Sequence, residues 1–364
     1  VSNGLKSGFL RLYHGETTID FIGRTRRFFV ISALVVIVGL ASLGIRGLNL
    51  GIDFKGGTAW EVIGTNQSVA SVTAAVEKAG AKQPTVYILG GSTIHVEADL
   101  NALSGSDLSK VENAVADSLA QLVGKASDQV SVSTIGPTWG GQVTAKARLA
   151  LIVFLIAVVA YISLRFEPKM AISALVAMLH DLLVTIGVYS LFGFQITPDT
   201  VIALLTILGY SLYDTVVVFD RVRDNTKNAL NAGSMMYSDM VNLSMNQTLA
   251  RSLNTSLVAV IPVMSVLLVG SELLGATTLR EYGLALFIGL MSGAYSSIFI
   301  ASPLLALLKE REPRMRELRL RMETKEARSA LSPAAAARGV MERATGGADK
   351  GTVIQPRARK QKRR

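Results

Sequence analysis

Apolar residues in this chain gather in long unbroken runs. A bilayer-crossing helix needs about 20 mostly apolar residues, and six stretches meet or approach that length. Phe28–Ile45 is free of charge and ends at Arg46, and Leu149–Leu164 is free of charge between Arg148 and Arg165. Met170–Phe194 is interrupted only by His180 and Asp181, and Thr200–Phe219 only by Asp214. Ser252–Ser271 and Tyr282–Leu308 carry no charge at all. The predicted spans are 28–46, 147–166, 170–194, 198–220, 249–271 and 281–308. No small-x-small cleavage site clearly follows the first run, so it is a span and not a cleaved signal.

The stretch 47–146 has a different pattern. Thr58–Ile63 is β-branched and aromatic, and Val69–Ala79 is helical in period. Thr85–Leu89 and Thr93–Ala98 are short strands joined through Gly90-Gly91-Ser92, a hairpin signal. Ser104–Val123 has apolar residues at 108, 111, 115, 119 and 122, close to helical period, with Ser104 as its expected cap. Val130–Ile135 alternates like a strand. The order β-α-β-β-α-β predicts a small α+β domain of the ferredoxin-like kind. The expected fold is therefore a six-helix transmembrane bundle with that domain inserted between its first two helices.

Composition sharpens this picture. Half of the 364 residues are hydrophobic and 18% are charged, against about 25% charged in soluble domains. There are no cysteines, which excludes disulfides, zinc-thiolate sites and cysteine nucleophiles. The net charge of +10 lies wholly in residues 309–364, which hold 17 Lys and Arg against 7 Asp and Glu. The body of the chain is neutral, so its high pI is no sign that the body binds nucleic acid. From about residue 329 the tail is rich in Ala, Gly and Arg and is expected to be disordered. Its last basic run suits anionic lipid or RNA, or serves only orientation and solubility.

Basic residues flank one side of the spans: Arg24, Arg26 and Arg27, then Arg165 and Lys169, then Arg221, Arg223 and Lys227, then the tail. The positive-inside rule puts these regions, residues 1–27, the loop 221–248 and both termini in the cytoplasm, and the α+β domain outside.

Charge within the spans is the informative chemistry. An ionised side chain at mid-membrane costs about 2.5–3.5 kcal/mol on insertion scales, so Asp214 and Asp181 need a reason. Burial disfavours the charged form of a carboxyl, which suits a group that takes and releases protons. The alternative is a structural aspartate hydrogen-bonded to nearby Ser, Thr or backbone. Arg251 opens span five after the amphipathic run Asp239–Ala250. It is either a countercharge for a carboxylate in span four or a cytoplasmic anchor. Gly289 and Gly293 form a GxxxG in span six, which permits close helix packing. Pro262 is a candidate kink. No P-loop is present, so energy would come from an ion gradient or a partner.

Three motifs carry a resemblance. Leu48-Asn-Leu-Gly-Ile-Asp-Phe-Lys-Gly-Gly57 follows span one, and Gly209-Tyr-Ser-Leu-Tyr-Asp-Thr-Val-Val-Val-Phe-Asp-Arg221 lies in span four. Asn246-Gln-Thr-Leu-Ala-Arg-Ser-Leu-Asn-Thr-Ser256 opens span five. From about Arg24 to Leu308 the chain resembles the SecF family of the RND superfamily. The resemblance implies a multi-pass protein of the bacterial cytoplasmic (inner) membrane that is not an enzyme and needs no metal or cofactor. It would pair with SecD, associate with the SecYEG channel and, through the complex, with SecA and YidC. It would act on unfolded preproteins among membrane lipids, with no nucleic-acid partner. A proton gradient (sodium in some relatives) would drive late steps of export. Asp214 and Arg251 match the family's relay residues, and Asp181 matches the His-Asp of its third span. Gly51, Asp53, Phe54, Gly56 and Gly57 match the motif after span one; Gly209, Tyr210 and Thr215 accompany Asp214. Tyr213 stands where the family usually has Asn, which changes the hydrogen bonding open to its neighbour.

Two other function classes fit the pattern less closely. A small-molecule exporter of the RND type usually has two six-span halves with larger outside loops. A non-transporting scaffold would keep Asp214 for structure alone and would tolerate Asn there.

Overall fold

The structure, a computed structural model, describes residues 19–64, 67–232, 236–273, 275–313, 315–317 and 319–320. The expected disorder of the tail from 329 lies outside the described residues.

Six helices are long and apolar enough to cross a membrane, and the chain is a multi-pass membrane protein. They are α1 (Thr25–Arg46), α5 (Pro137–Arg165), α6 (Pro168–Phe192), α7 (Pro198–Ala232), α8 (Tyr237–Ser265) and α9 (Thr277–Ser296). Shorter helices are α2 (Ile52–Lys55), α3 (Val69–Lys78), α4 (Ser106–Val123) and α10 (Ser302–Glu310). Proline opens α5, α6 and α7, where its missing N–H would be unpaired anyway. π-helical turns follow α8 at Val266–Leu273 and join α9 to α10 at Ser297–Ala301. Pro262 lies inside α8, one turn before the first of them.

Helices exceed the apolar runs where water or protein covers their ends. α5 begins at Pro137, inside the segment 47–146 assigned to the outer domain. α7 runs on to Ala232 and α8 starts at Tyr237, so most of the stretch 221–248 is helix and not loop. The hydropathy of a run marks what lipid must cover, not where hydrogen bonding stops.

α9 is the central helix, packed on α6, α7 and α8. Its GxxxG makes the approach to α7 possible. A Cβ at Gly289 would come within 2.2 Å of the Ile207 side chain, and one at Gly293 within 3.1 Å of Ser211 Cβ. α1 meets α6 backbone to backbone, since a Cβ on Gly39 would fall 2.8 Å from Gly187 Cα. Small residues at helix crossings of this kind are how helices associate in lipid. The outward faces carry Val30, Leu34 and Ile37 on α1, Ile152 and Ile156 on α5, and Leu257, Val258 and Ile261 on α8, all exposed, as lipid contact requires.

Strands β2 (Gly57–Ile63), β3 (Thr85–Leu89), β4 (Thr93–Ala98) and β5 (Ser131–Ile135) form an antiparallel sheet in the order β3-β4-β2-β5. Helices α3 and α4 supply Val72, Val76, Val115 and Leu119 to a core with Trp60, Val62, Ile94 and Val96, all at or below 2% exposure. Trp60 Nε1 donates to the Glu112 carbonyl at 3.1 Å, which satisfies the buried indole. Ser68 and Ser71 exchange hydrogen bonds as a capping box on α3. The expected cap at Ser104 is not used: α4 starts after Gly105, whose φ of 56° is a conformation glycine adopts freely, with no side-chain cap.

The domain is tied to one end of the bundle. The residues after α1 form β1 (Asn49–Leu50), which pairs in parallel with β6 (Gln195–Ile196) in the α6–α7 connection. At the bundle's other end Arg165 pairs with Asp220 (3.1 Å), Lys169 with Glu312 (3.1 Å) and Lys309 with Glu167 (2.5 Å).

Candidate functional site

Asp181 on α6 and Asp214 on α7 are buried at 1% and 3% exposure. Hydroxyls hold both. Asp181 Oδ2 accepts from Ser211 (2.6 Å) and Ser296 (2.7 Å), and Oδ1 accepts from Ser292 (2.8 Å). His180 Nδ1 lies 3.3 Å from the same Oδ1. Asp214 Oδ1 accepts from Ser252 of α8 at 2.7 Å, and Oδ2 from Ser297 at 2.5 Å.

Consecutive residues on a helix point about 100° apart. Ser296 therefore addresses Asp181 on one side of the central helix while Ser297 addresses Asp214 on another. The two carboxyls are joined through adjacent residues at the start of a π-helical turn, a widening of the helix that recurs at functional sites. Ser292 and Ser296 are four residues apart and share a face. That face bonds Asp181, while Ser297 on the neighbouring side bonds Asp214.

The electrostatics follow from what is missing. Among the described residues no Lys or Arg pairs with either aspartate. A serine hydroxyl can donate to a carboxylate or turn and accept from a carboxylic acid. Asp214 has two such donors, so its carboxylate keeps lone pairs open.

Not all the residues expected in the site come together. Arg251 is exposed on the outer side of α8 and makes no ion pair with a described residue. It is not the countercharge of Asp214 within this chain. The residues of α8 buried around it are Thr248, Leu249, Ser252 and Ser256, while Arg251 itself is exposed. Tyr213 is 57% exposed on α7, so its departure from Asn does not alter the hydroxyl contacts of Asp214. Thr215 is buried beside the site. The Tyr210 hydroxyl is buried with no hydrogen-bond partner among the described residues. Gly209 meets open space, and nothing in the structure explains glycine there. Sequence reasoning did not single out Ser211, Ser292, Ser296 or Ser297. The i, i+4 spacing of Ser292 and Ser296 beside the glycine motif was the available signal.

The motif after α1 builds the joint between domain and bundle. Gly51 N–H donates to the Ile196 carbonyl at 2.9 Å and precedes the single turn α2. Gly56 has φ 80°, and a Cβ there would lie 2.7 Å from Asn101 Oδ1 and 3.0 Å from Pro137. Only glycine fits that conformation and that space. Phe54 packs with Ile196, Tyr189 and Ala285. Asp53 is raised above the usual carboxylate value, first by burial, then by Glu97 and Asp199. Glu97 accepts from Gln195 Nε2 and lies 3.1 Å from His95 Nε2, while His95 Nδ1 lies 3.3 Å from Glu61. No cluster of three or more His, Asp or Glu placed to hold a metal occurs among the described residues.

This architecture has known counterparts. Residues 114–311 match the family model "Protein export membrane protein SecD/SecF, C-terminal", and residues 41–58 match the SecD/SecF GG motif. The chain is 40% identical over 321 residues to the protein translocase subunit SecF of Streptomyces coelicolor, covering 88% of this chain and 84% of that one. It is 44% identical over 313 residues to SecF of Mycobacterium tuberculosis, covering 85% and 71%. The crystal structure of SecDF, a translocon-associated membrane protein from Thermus thermophilus, superposes with a TM-score of 0.71 at 30% identity, over 82% of this chain and 39% of that longer one. The chain belongs to the SecF family of protein export membrane proteins.

Proposed function

We propose that the chain works with SecD in the Sec preprotein translocase and couples the proton-motive force to late steps of export across the cytoplasmic membrane. The observation that carries this is the buried hydroxyl-bonded pair Asp181 and Asp214, joined through Ser296 and Ser297 and lacking a Lys or Arg partner among the described residues. A structural polar cluster has no need of two carboxyls without a countercharge. A proton relay does. Each charge moved through 100 mV supplies about 2.3 kcal/mol, and each pH unit about 1.4 kcal/mol. A few protons are enough to move a small domain.

Several finer assignments rest on the same reading. The basic helix ends face the cytoplasm with both termini, so the sheet domain stands outside. Its strand order, with two helices on one face, supports the ferredoxin-like reading. Arg251 is held at the level of Asp214, since the adjacent Ser252 bonds that carboxyl. Its outward exposure offers a guanidinium to a carboxylate of SecD. Protonation of Asp214 removes a charge at the bundle's centre, and the α6–α9 contacts shift with it. The movement reaches the outer domain through β1–β6 and the Gly51–Gly57 joint. That domain, with SecD, holds the emerging preprotein against backsliding at the SecYEG channel.

The test is export of a secreted preprotein into vesicles lacking the native protein, supplied with SecD and wild type, Asp214→Asn or Arg251→Met, with and without a proton gradient. Wild type alone should respond to the gradient. Equal response by all three at equal protein levels would make the aspartates structural and favour a scaffold. Loss of small-molecule efflux with intact export would favour an exporter.

A further inference from the structure

The relay reading leaves one titratable group in the bundle unassigned. His180 turns Nδ1 toward Asp181 Oδ1 and stacks on Tyr295 of α9, with ring centroids 6.2 Å apart at 28°. Its side chain is 10% exposed. Its second nitrogen, Nε2, is buried and has no hydrogen-bond partner among the described residues. The ring lines a groove of about 420 Å³ between α1, α6 and the segment carrying Ile300 and Leu304. Phe29, Ala33, Val36, Val176 and Leu183 complete much of that lining, and Ser32 is spent on the Tyr295 hydroxyl. Among the described residues, Asp181 and Tyr295 are therefore the titratable groups facing the imidazole.

A carboxylate oxygen facing Nδ1 fixes the neutral ring as the Nδ1–H tautomer. Asp181 then receives four hydrogens: three from serines and one from the ring. That fills the roughly four acceptor positions of a carboxylate. To hold a proton itself, Asp181 would have to turn one of these donors into an acceptor. Nε2 has an open lone pair and requires no such change.

We propose that His180, resting on the relay reading above, is the residue that holds the proton at the Asp181 site. The incoming proton bonds to the Nε2 lone pair. The ring becomes imidazolium, Asp181 stays ionised, and the pair passes from one negative charge to none. Release returns the proton from Nε2 and restores the neutral Nδ1–H ring. Asp181 is thus a positioning residue for His180, and Asp214 binds its proton directly.

The test uses the full chain with SecD in lipid vesicles, ¹⁵N-labelled at histidine, read by solid-state NMR. Lowering the pH across about 5–9, the range in which histidine acts as a switch, should convert a neutral Nδ1–H signal to imidazolium. His180→Asn should remove that signal, which separates it from His14 and His95. In Asp181→Asn the ring should stay neutral under the conditions that charge it in wild type. In the export assay His180→Asn keeps a donor near Nδ1 but accepts no proton, so export should fall to the level seen without a gradient. His180→Gln serves as the second variant should His180→Asn fail to fold. A ring that stays neutral throughout in wild type, or gradient-driven export unchanged in both variants, overturns the proposal. The spectrum does not depend on transport. Failure of Asp214→Asn to affect export would sink the relay reading, while the NMR result still judges His180 as a proton-holding group.

Discussion

The molecule buries carboxyls in two places and satisfies them by different means. In the bundle, Asp181 and Asp214 are held by neutral hydroxyls, with His180 as the sole ionisable neighbour bonded to either among the described residues. At the joint, Glu97 is held by Gln195 and a histidine, and that histidine is shared with Glu61, which is 43% exposed. Where lipid excludes water, a fixed opposite charge would lock a carboxylate in one state, and reorienting hydroxyls leave it free to change. Where water reaches, an ion pair is affordable and serves to fasten one domain to another. The first arrangement leaves carboxyls with no Lys or Arg partner among the described residues, and the second ties the domain to the bundle through Gln195.

The largest expected effect separates the two directly. Asp181→Ala leaves the Ser211 and Ser292 hydroxyls facing a void, while Ser296 keeps the Gly293 carbonyl, and each unsatisfied buried group costs about 1–3 kcal/mol. The protein should lose roughly 3 kcal/mol or more, seen as a clear fall in its thermal midpoint in detergent. Asp181→Asn keeps an acceptor and should lose about 1 kcal/mol, the scale of one net hydrogen bond. Glu97→Ala at the wetter joint should fall between them. A loss there equal to that of Asp181→Ala would erase the distinction between the two regions.

Single serines come next. Ser297→Ala removes one of two donors to Asp214 and should cost about 1 kcal/mol in stability. Its effect on gradient-dependent export should exceed that of Ser256→Ala, since the Ser256 hydroxyl is buried with no partner among the described residues. Equal effects would mean that the hydroxyl contacts of Asp214 play no part in coupling.

How much of this could be read from residues differs between the two regions. The spans, the strand order and both aspartates were legible, because a charge in an apolar run stands out against its cost in lipid. The serines were not, since a hydroxyl in a helix barely changes hydropathy. The outward placement of Arg251, which the sequence left open between countercharge and anchor, was not legible. At about 100° per residue it falls in phase with the buried Met240 and Ser244, and only the later buried positions Leu249, Ser252 and Ser256 show the packed face of α8 drifting away from it. At the joint, Gly56 and Gly57 were recognised as motif, but their need for glycine lies in the approach of Asn101 and Ala98, which no local pattern reveals.

The smallest effects belong to the joint and are read through pH. Burial pulls His95 down, but the Glu97 and Glu61 carboxylates outweigh it and the ring is raised above the ordinary 6.5. A group raised on folding gives its full stabilisation below its unfolded value and loses it as pH rises through the folded one. Asp53, raised above 3.8, has the same sign at lower pH. The thermal midpoint should therefore fall as pH rises above about 6.5, and His95→Gln should flatten that fall. Glu61→Gln removes only the more exposed of the two partners, and an exposed ion pair contributes a few tenths of a kcal/mol. The slope should survive this change, slightly reduced. Glu97→Gln should remove most of it, because Glu97 is the buried partner and also the contact to Gln195. If Glu61→Gln proved the stronger of the two, the histidine would be answering to the solvent-facing carboxylate, and the joint would be a surface ion pair without a role in fastening the domain.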